Sequence, residues 1–111
     1  MGQLTTHVLN TSTGKPAQGI NVSLEYFENG TWQTITENIT NEDGRVTNFT
    51  DHLELKNGNY QITFQVSEYF SKANTKAFYP YVSIVFIIDS ADHYHVPLLL
   101  NPYGYSTYRG S

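Results

Sequence analysis

Turn-forming clusters interrupt this chain about every 8–12 residues, and short segments of alternating character fill the gaps. Leu4 to Asn10 reads as a first strand. Asn10-Thr11-Ser12-Thr13-Gly14-Lys15-Pro16 then turns, with Gly14 free to take positive φ and Pro16 fixing the exit. From Ile20 to Phe27, Ile20, Val22, Leu24 and Tyr26 alternate with Asn21, Ser23 and Glu25, the pattern of a strand with one buried face. Asn29-Gly30 is the strongest short-range hairpin signal, and Trp32 to Ile39 returns as the third strand. Asn41-Glu42-Asp43-Gly44 turns into a short fourth strand, Arg45 to Thr50. Lys56-Asn57-Gly58-Asn59 turns into Tyr60 to Val66, with Tyr60, Ile62, Phe64 and Val66 on one face. Ser67 to Ala73 is the one plausible helix, with Ser67 as its cap. Val82 to Ile88 is apolar on both faces and predicts a central or doubly covered strand. His93 to Leu100 and Tyr103 to Ser111 complete the set. The expected fold is all-β: a two-sheet antiparallel sandwich of about eight strands with one short helix. Its 111 residues make a single domain, 1–111.

Composition narrows the function. Lys and Arg total 6 against 10 Asp and Glu, a net charge of −4. Scattered cations make no basic patch, so no nucleic-acid partner is expected. No apolar run approaches the ~18 residues of a membrane span, so no membrane partner is expected either. Cys is absent, which removes disulfides, thiolate metal sites and a Cys nucleophile. Met1-Gly2-Gln3-Leu4 has neither a basic nor an apolar leader region, and the expected location is cytoplasmic. Five Asn-x-Ser/Thr sequons then read as ordinary strand and turn composition. Charged residues are only 14% of the chain, well below the usual ~25%. A surface so short of charge points to self-association. Six of the nine Tyr fall from Tyr79 onward, so the aromatic C-terminal stretch is not expected to fray.

Candidate chemistry is sparse. His93-Tyr94-His95 is the most unusual feature. Alternation puts both imidazoles on one strand face, while Tyr94, Val96, Leu98 and Leu100 take the core face. His7 shares a face with Thr5 and Leu9. An isolated strand His is ordinarily a solvated polar residue. Two at i and i+2 fit either zinc binding or proton transfer, and spacing alone does not decide between them. Arg45 by itself is an ordinary charged strand start. There is no Gly-rich phosphate loop, no paired-carboxylate pattern and no Gly-x-Ser-x-Gly elbow.

Several of these segments carry a resemblance. They are Leu4-Thr5-Thr6-His7-Val8-Leu9-Asn10, Gly14-Lys15-Pro16-Ala17, Asp43-Gly44-Arg45, His93-Tyr94-His95-Val96-Pro97-Leu98-Leu99-Leu100 and Pro102-Tyr103-Gly104-Tyr105-Ser106-Thr107-Tyr108-Arg109-Gly110-Ser111. Together they resemble the 5-hydroxyisourate hydrolase branch of the transthyretin family, from residue 4 to the last. The His-Tyr-His-Val-Pro strand and the terminal Tyr-Arg-Gly-Ser are its most specific parts. Asn10, where the family often has Asp, and Asn101, which replaces a frequent Ser, are small departures outside the chemistry.

The resemblance implies a transthyretin-like sandwich assembled as a homotetramer, a dimer of dimers, with sites in the clefts where dimers meet. It implies hydrolysis of 5-hydroxyisourate to 2-oxo-4-hydroxy-4-carboxy-5-ureidoimidazoline in urate degradation. It implies His7, Arg45 and His95 as catalytic residues, and Tyr108 and Ser111 as substrate-binding residues beside His7 and Arg45. On that resemblance His95 is expected to activate water with His7 as its partner in proton transfer, and Arg45 to stabilise negative charge. His93 is a possible addition, and His52 has no role. Three imidazoles could converge on zinc, but the family picture requires no metal and no cofactor. The alternative function is a transthyretin-like carrier of a small aromatic ligand in the same channel.

Overall fold

The computed structural model describes residues 3–111. Along the chain run β1 (Leu4–Asn10), β2 (Lys15–Pro16), β3 (Asn21–Glu28), β4 (Thr31–Ile39), β5 (Gly58–Gln65), α1 (Ser67–Lys72), β6 (Val82–Ile88), β7 (Tyr94–Asn101) and β8 (Gly104–Thr107). They form two four-stranded sheets, ordered β2-β1-β7-β8 and β4-β3-β5-β6. Every neighbouring pair is antiparallel except β1 and β7, which run parallel from Leu4↔Tyr94 to Asn10↔Leu100. The predicted all-β sandwich with one short helix is therefore the fold observed.

Alternation builds the core as expected. Leu4 and Val8 face Val22 and Leu24, while Ile62 and Phe64 close the layer, all with no exposed surface. Tyr94, Val96, Leu98 and Leu100 are buried on the same side. The hairpin signal also held: Asn29 and Gly30 both take positive φ, as a turn matched to strand twist requires.

Four expectations are corrected. Arg45 to Thr50 is not a strand. Only Arg45 bridges, to His7, and Asn48 then takes positive φ. Past that point the Thr50 side chain replaces the backbone ladder: Leu4 N–H donates to Thr50 Oγ1 at 3.2 Å, which donates back to Leu4 O at 3.1 Å. Ser67 does not cap α1. The capping position is Val66, with no side-chain cap, and Ser67 N–H donates to Pro80 O instead. Strand β6 is neither central nor doubly covered. It is an edge strand with Val85 and Ile87 59% and 65% exposed. Its second apolar face has no cover within one chain. Glu25 alternates away from the core but is buried, its carboxylate held in a polar lattice on the outer face of the sheet. Ser23, Gln61 and Thr63 all donate to it.

Candidate active site

The β1–β7 register creates the site. Thr5 lies beside His95 and His7 beside Pro97, so the outward residues of both strands share one face. On the β2 side of β1, where β2 pairs only with Leu9 and Asn10, the Asn41–Gly44 turn brings in Arg45. Asn41 Oδ1 accepts from the Asp43 and Arg45 amides, at 2.9 and 3.1 Å. Val8 N–H then donates to Gly44 O at 2.8 Å, and Arg45 bridges His7. Gly44 has φ +72°, and a Cβ there would sit 2.4 Å from Val8 O. Only glycine lets the turn approach β1 so closely.

The tail closes the other side. Strand β8 pairs Leu98↔Thr107, and the same register resumes at His95↔Gly110. Between them falls Pro97, whose nitrogen has no hydrogen for the tail. Its carbonyl accepts from Thr107 Oγ1 at 2.8 Å instead. The shared register sets Tyr108 opposite Pro97 on the imidazole face, where it is exposed. Arg109 takes the opposite face, its guanidinium 4.3 Å from the centre of the buried Tyr94 ring. That stacking anchors the tail. Gly110 N–H donates to His95 O at 2.8 Å, and Gly110 packs against the His95 ring.

His7 and His95 are half-buried and His93 is exposed. Burial is the largest influence lowering the pKa of both His7 and His95 below the ordinary value of 6.5, and the Arg45 charge lowers both further. His7 and His93 also lower His95, while the Thr5 carbonyl opposes by accepting a hydrogen bond. For His7 the opposition comes from the Asp43 carbonyl and carboxylate. Both imidazoles are thus held neutral at neutral pH, the form that can accept a proton.

The structure therefore brings His7, His95 and Arg45 together, with Tyr108 on their face. Ser111 lies exposed one residue beyond Gly110, and it is Gly110 that touches the His95 ring. His52 is exposed in a turn. Among the described residues no cluster of three or more His, Asp or Glu is arranged for a metal ion.

Sequence reasoning missed Thr5, whose hydroxyl reaches His95 Nδ1 at 2.8 Å and His93 Nε2 at 3.0 Å. The face Thr5 shares with His7 was visible. The parallel neighbour that makes it matter was not. A cavity of about 280 Å³ lies between β6 and the tail, lined by Val85, Ile87, Tyr94, Tyr108 and Arg109. No imidazole lines it; the two imidazoles of lowered pKa and the Arg45 guanidinium that lowers them lie elsewhere, on the β1–β7 face.

Sandwich and cluster together define a transthyretin-like fold with two imidazoles and a guanidinium grouped on one face. The sequence pattern of the HIUase/Transthyretin family matches residues 4–110, and the chain belongs to that family. It is 46% identical to 5-hydroxyisourate hydrolase 2 of Rhizobium meliloti over 99% of this chain and 97% of the relative. The solved structure of Klebsiella pneumoniae 5-hydroxyisourate hydrolase superposes with a TM-score of 0.86 at 38% identity, covering 97% of this chain and 98% of that one. Sea bream transthyretin in complex with thyroxine superposes with a TM-score of 0.91, covering 97% of this chain and 94% of the other. Its 23% identity makes that a likeness of fold alone.

Proposed function

We propose that this protein hydrolyses 5-hydroxyisourate, opening the six-membered ring at the N1–C6 amide to give 2-oxo-4-hydroxy-4-carboxy-5-ureidoimidazoline. The observation that carries the reading is the meeting of two neutral-held imidazoles with one guanidinium on a single face, in a chain whose relatives bear that hydrolase's name. His95 takes a proton from water as the oxygen attacks C6. Arg45 holds the negative charge that grows on the C6 oxygen, a task its always-charged planar fork suits. The C6–N1 bond then breaks, and a proton returned through His7 or the His95 imidazolium satisfies N1. General acid–base catalysis of this kind contributes ~10²–10⁴-fold. Tyr108 walls the flat substrate on the tail side. Ser111 completes the binding end of the chain.

The assembly belongs to the same proposal. In one chain the imidazoles of His7 and His95 are only half-buried, and His93 is exposed. One chain also leaves an uncovered apolar edge, with Phe78, Tyr81, Val85, Ile87 and Tyr105 between 41% and 69% exposed. A homotetramer, a dimer of dimers, would bury that edge and turn the imidazole face into a cleft. Among the described residues no helix is long and apolar enough to cross a membrane. The expected cytoplasmic location is tested by cell fractionation.

The carrier alternative wants a wide apolar channel, whereas this face carries imidazoles, a guanidinium and Tyr108. The deciding experiment follows the absorbance of enzymatically generated 5-hydroxyisourate with and without the protein. Accelerated decay at catalytic protein concentration supports the hydrolase. Decay no faster than the spontaneous rate rejects it.

A further inference from the structure

Two imidazoles share one hydroxyl. Thr5 Oγ1 lies 2.8 Å from Nδ1 of His95 and 3.0 Å from Nε2 of His93. A threonine hydroxyl has one proton to give and two lone pairs to receive with. A neutral imidazole carries its proton on one nitrogen, and the hydrogen bond at the other end selects which. His95 meets Thr5 through Nδ1, so Nε2 is the nitrogen left to work on water. The adjacent Cδ2 edge faces Gly110, so β1 grips one edge of the ring and the tail the other.

We propose that Thr5 is a positioning residue which accepts the Nδ1–H of His95 and gives its own hydroxyl proton to Nε2 of His93, so that His95 presents a bare Nε2 as the base. This rests on the hydrolytic reading above. The reverse order would have Thr5 donate to His95 Nδ1. The His95 proton would then sit on Nε2, and no base would face the substrate. The proposed order satisfies both contacts of the hydroxyl and leaves Nε2 of His95 bare. His93 gains a defined part: it takes the Thr5 proton and stops the hydroxyl from turning back toward His95. A free histidine side chain prefers its proton on Nε2, so the arrangement needs Thr5 to hold it.

The test is nitrogen NMR of the full-length protein with labelled histidine, at a pH well above the ordinary histidine value of ~6.5. In the wild type His95 should carry its proton on Nδ1, with Nε2 unprotonated. Thr5→Val keeps the shape of the side chain and removes the hydroxyl. It should move the His95 proton toward Nε2 and lower kcat by roughly 10-fold or more, with KM nearly unchanged. Thr5→Ser restores a hydroxyl and should restore both tautomer and kcat to within a few-fold. A packing role would instead leave the tautomer untouched, or cost Ser as much as Val, and either result overturns the proposal. So does a wild-type His95 protonated on Nε2. If Thr5→Val fails to fold, the wild-type spectrum and the Ser variant still decide. If the wild type does not hydrolyse 5-hydroxyisourate, the functional reading falls, while the tautomers still report whether Thr5 holds the ring.

Discussion

Gly110 lies so close to the His95 ring that a methyl group added to it would sit 2.5 Å from Cδ2 and 3.2 Å from Cγ. The penultimate residue of the chain thus sets how one imidazole can stand. Gly110→Ala should force the ring to tilt or push the tail away. A small displacement of a catalytic group is enough to cost ~10²-fold, so kcat should fall by at least ~10-fold. Gly110 is remote from the buried core, so the thermal midpoint should move little. Steady-state kinetics beside calorimetry check both halves. Normal kcat in a folded variant would mean that contact with Gly110 does not orient His95.

The imidazoles should govern the pH dependence. His7→Ala and His95→Ala are each expected to lower kcat by ~10²-fold or more, and His52→Ala to leave it unchanged. Burial and the Arg45 charge lower both working pKa values, so the acid limb of kcat/KM should lie below pH 6.5, and Arg45→Gln should move it upward. Stability follows the same sign. An unfolded His binds its proton near ~6.5, while these two bind it only at lower pH. Their neutral forms cost no stability above pH 6.5. As pH falls through 6.5 toward the folded values, the unfolded state gains protons first and the protein loses stability. Denaturant titrations across that range should show the loss in the wild type and a smaller one in the double His→Gln variant.

Most strands were readable because each buries one face, and period-2 alternation records that directly. Leu4, Thr6 and Val8 alternate only loosely with Thr5, His7 and Leu9 in the sequence, yet that split is the one β1 shows, with His7 on its outer face. The Asn29-Gly30 turn was readable because its φ values suit few other residues. What alternation does not carry is the identity of a strand's neighbour. The parallel pairing of β1 with β7 joins residues about 90 apart, and nothing local to Thr5 marks it as the partner of His95. Strand β6 misled for a related reason: two apolar faces announce two covers, but not whether the second comes from the same chain. The roles of His7, Arg45, His95 and Tyr108 came from resemblance, while the pairing geometry supplies a physical reason for them to act together.

Gly44 should be as intolerant of a side chain as the site residues. Its φ of +72° is costly for any L-residue, and the added Cβ would meet backbone, 2.4 Å from Val8 O and 3.2 Å from Ala17 N. Gly44→Ala should destabilise by more than the ~1 kcal/mol of an ordinary glycine replacement, because the turn must leave β1. It should also lower kcat/KM, since Arg45 moves with the turn. Gly14→Ala, at φ +74° with nothing within 4 Å, is the control for backbone strain alone. Losses no greater than those of Gly14→Ala would show that the turn's approach to β1 is not tight.

The exposed face of β6 makes the last prediction. Val85 and Ile87 are 59% and 65% exposed in one chain, so charging them should not disturb its folding. If a second copy covers them, a charge there is stranded away from water on assembly, a penalty of several kcal/mol. The wild type should scatter light as a particle of about 50 kDa, four times the 12.6 kDa chain. Val85→Asp with Ile87→Asp should shift it to a smaller species whose circular dichroism is unchanged. Activity should fall with the assembly, because the groove between β6 and the tail holds Tyr108 and Arg109, and Arg109 anchors Gly110 beneath His95. Size-exclusion chromatography with light scattering, run on the samples used for kinetics, joins the two readouts. A wild-type monomer with full activity would dismiss the tetramer. A dissociated variant with normal kcat would show that one chain suffices for the site.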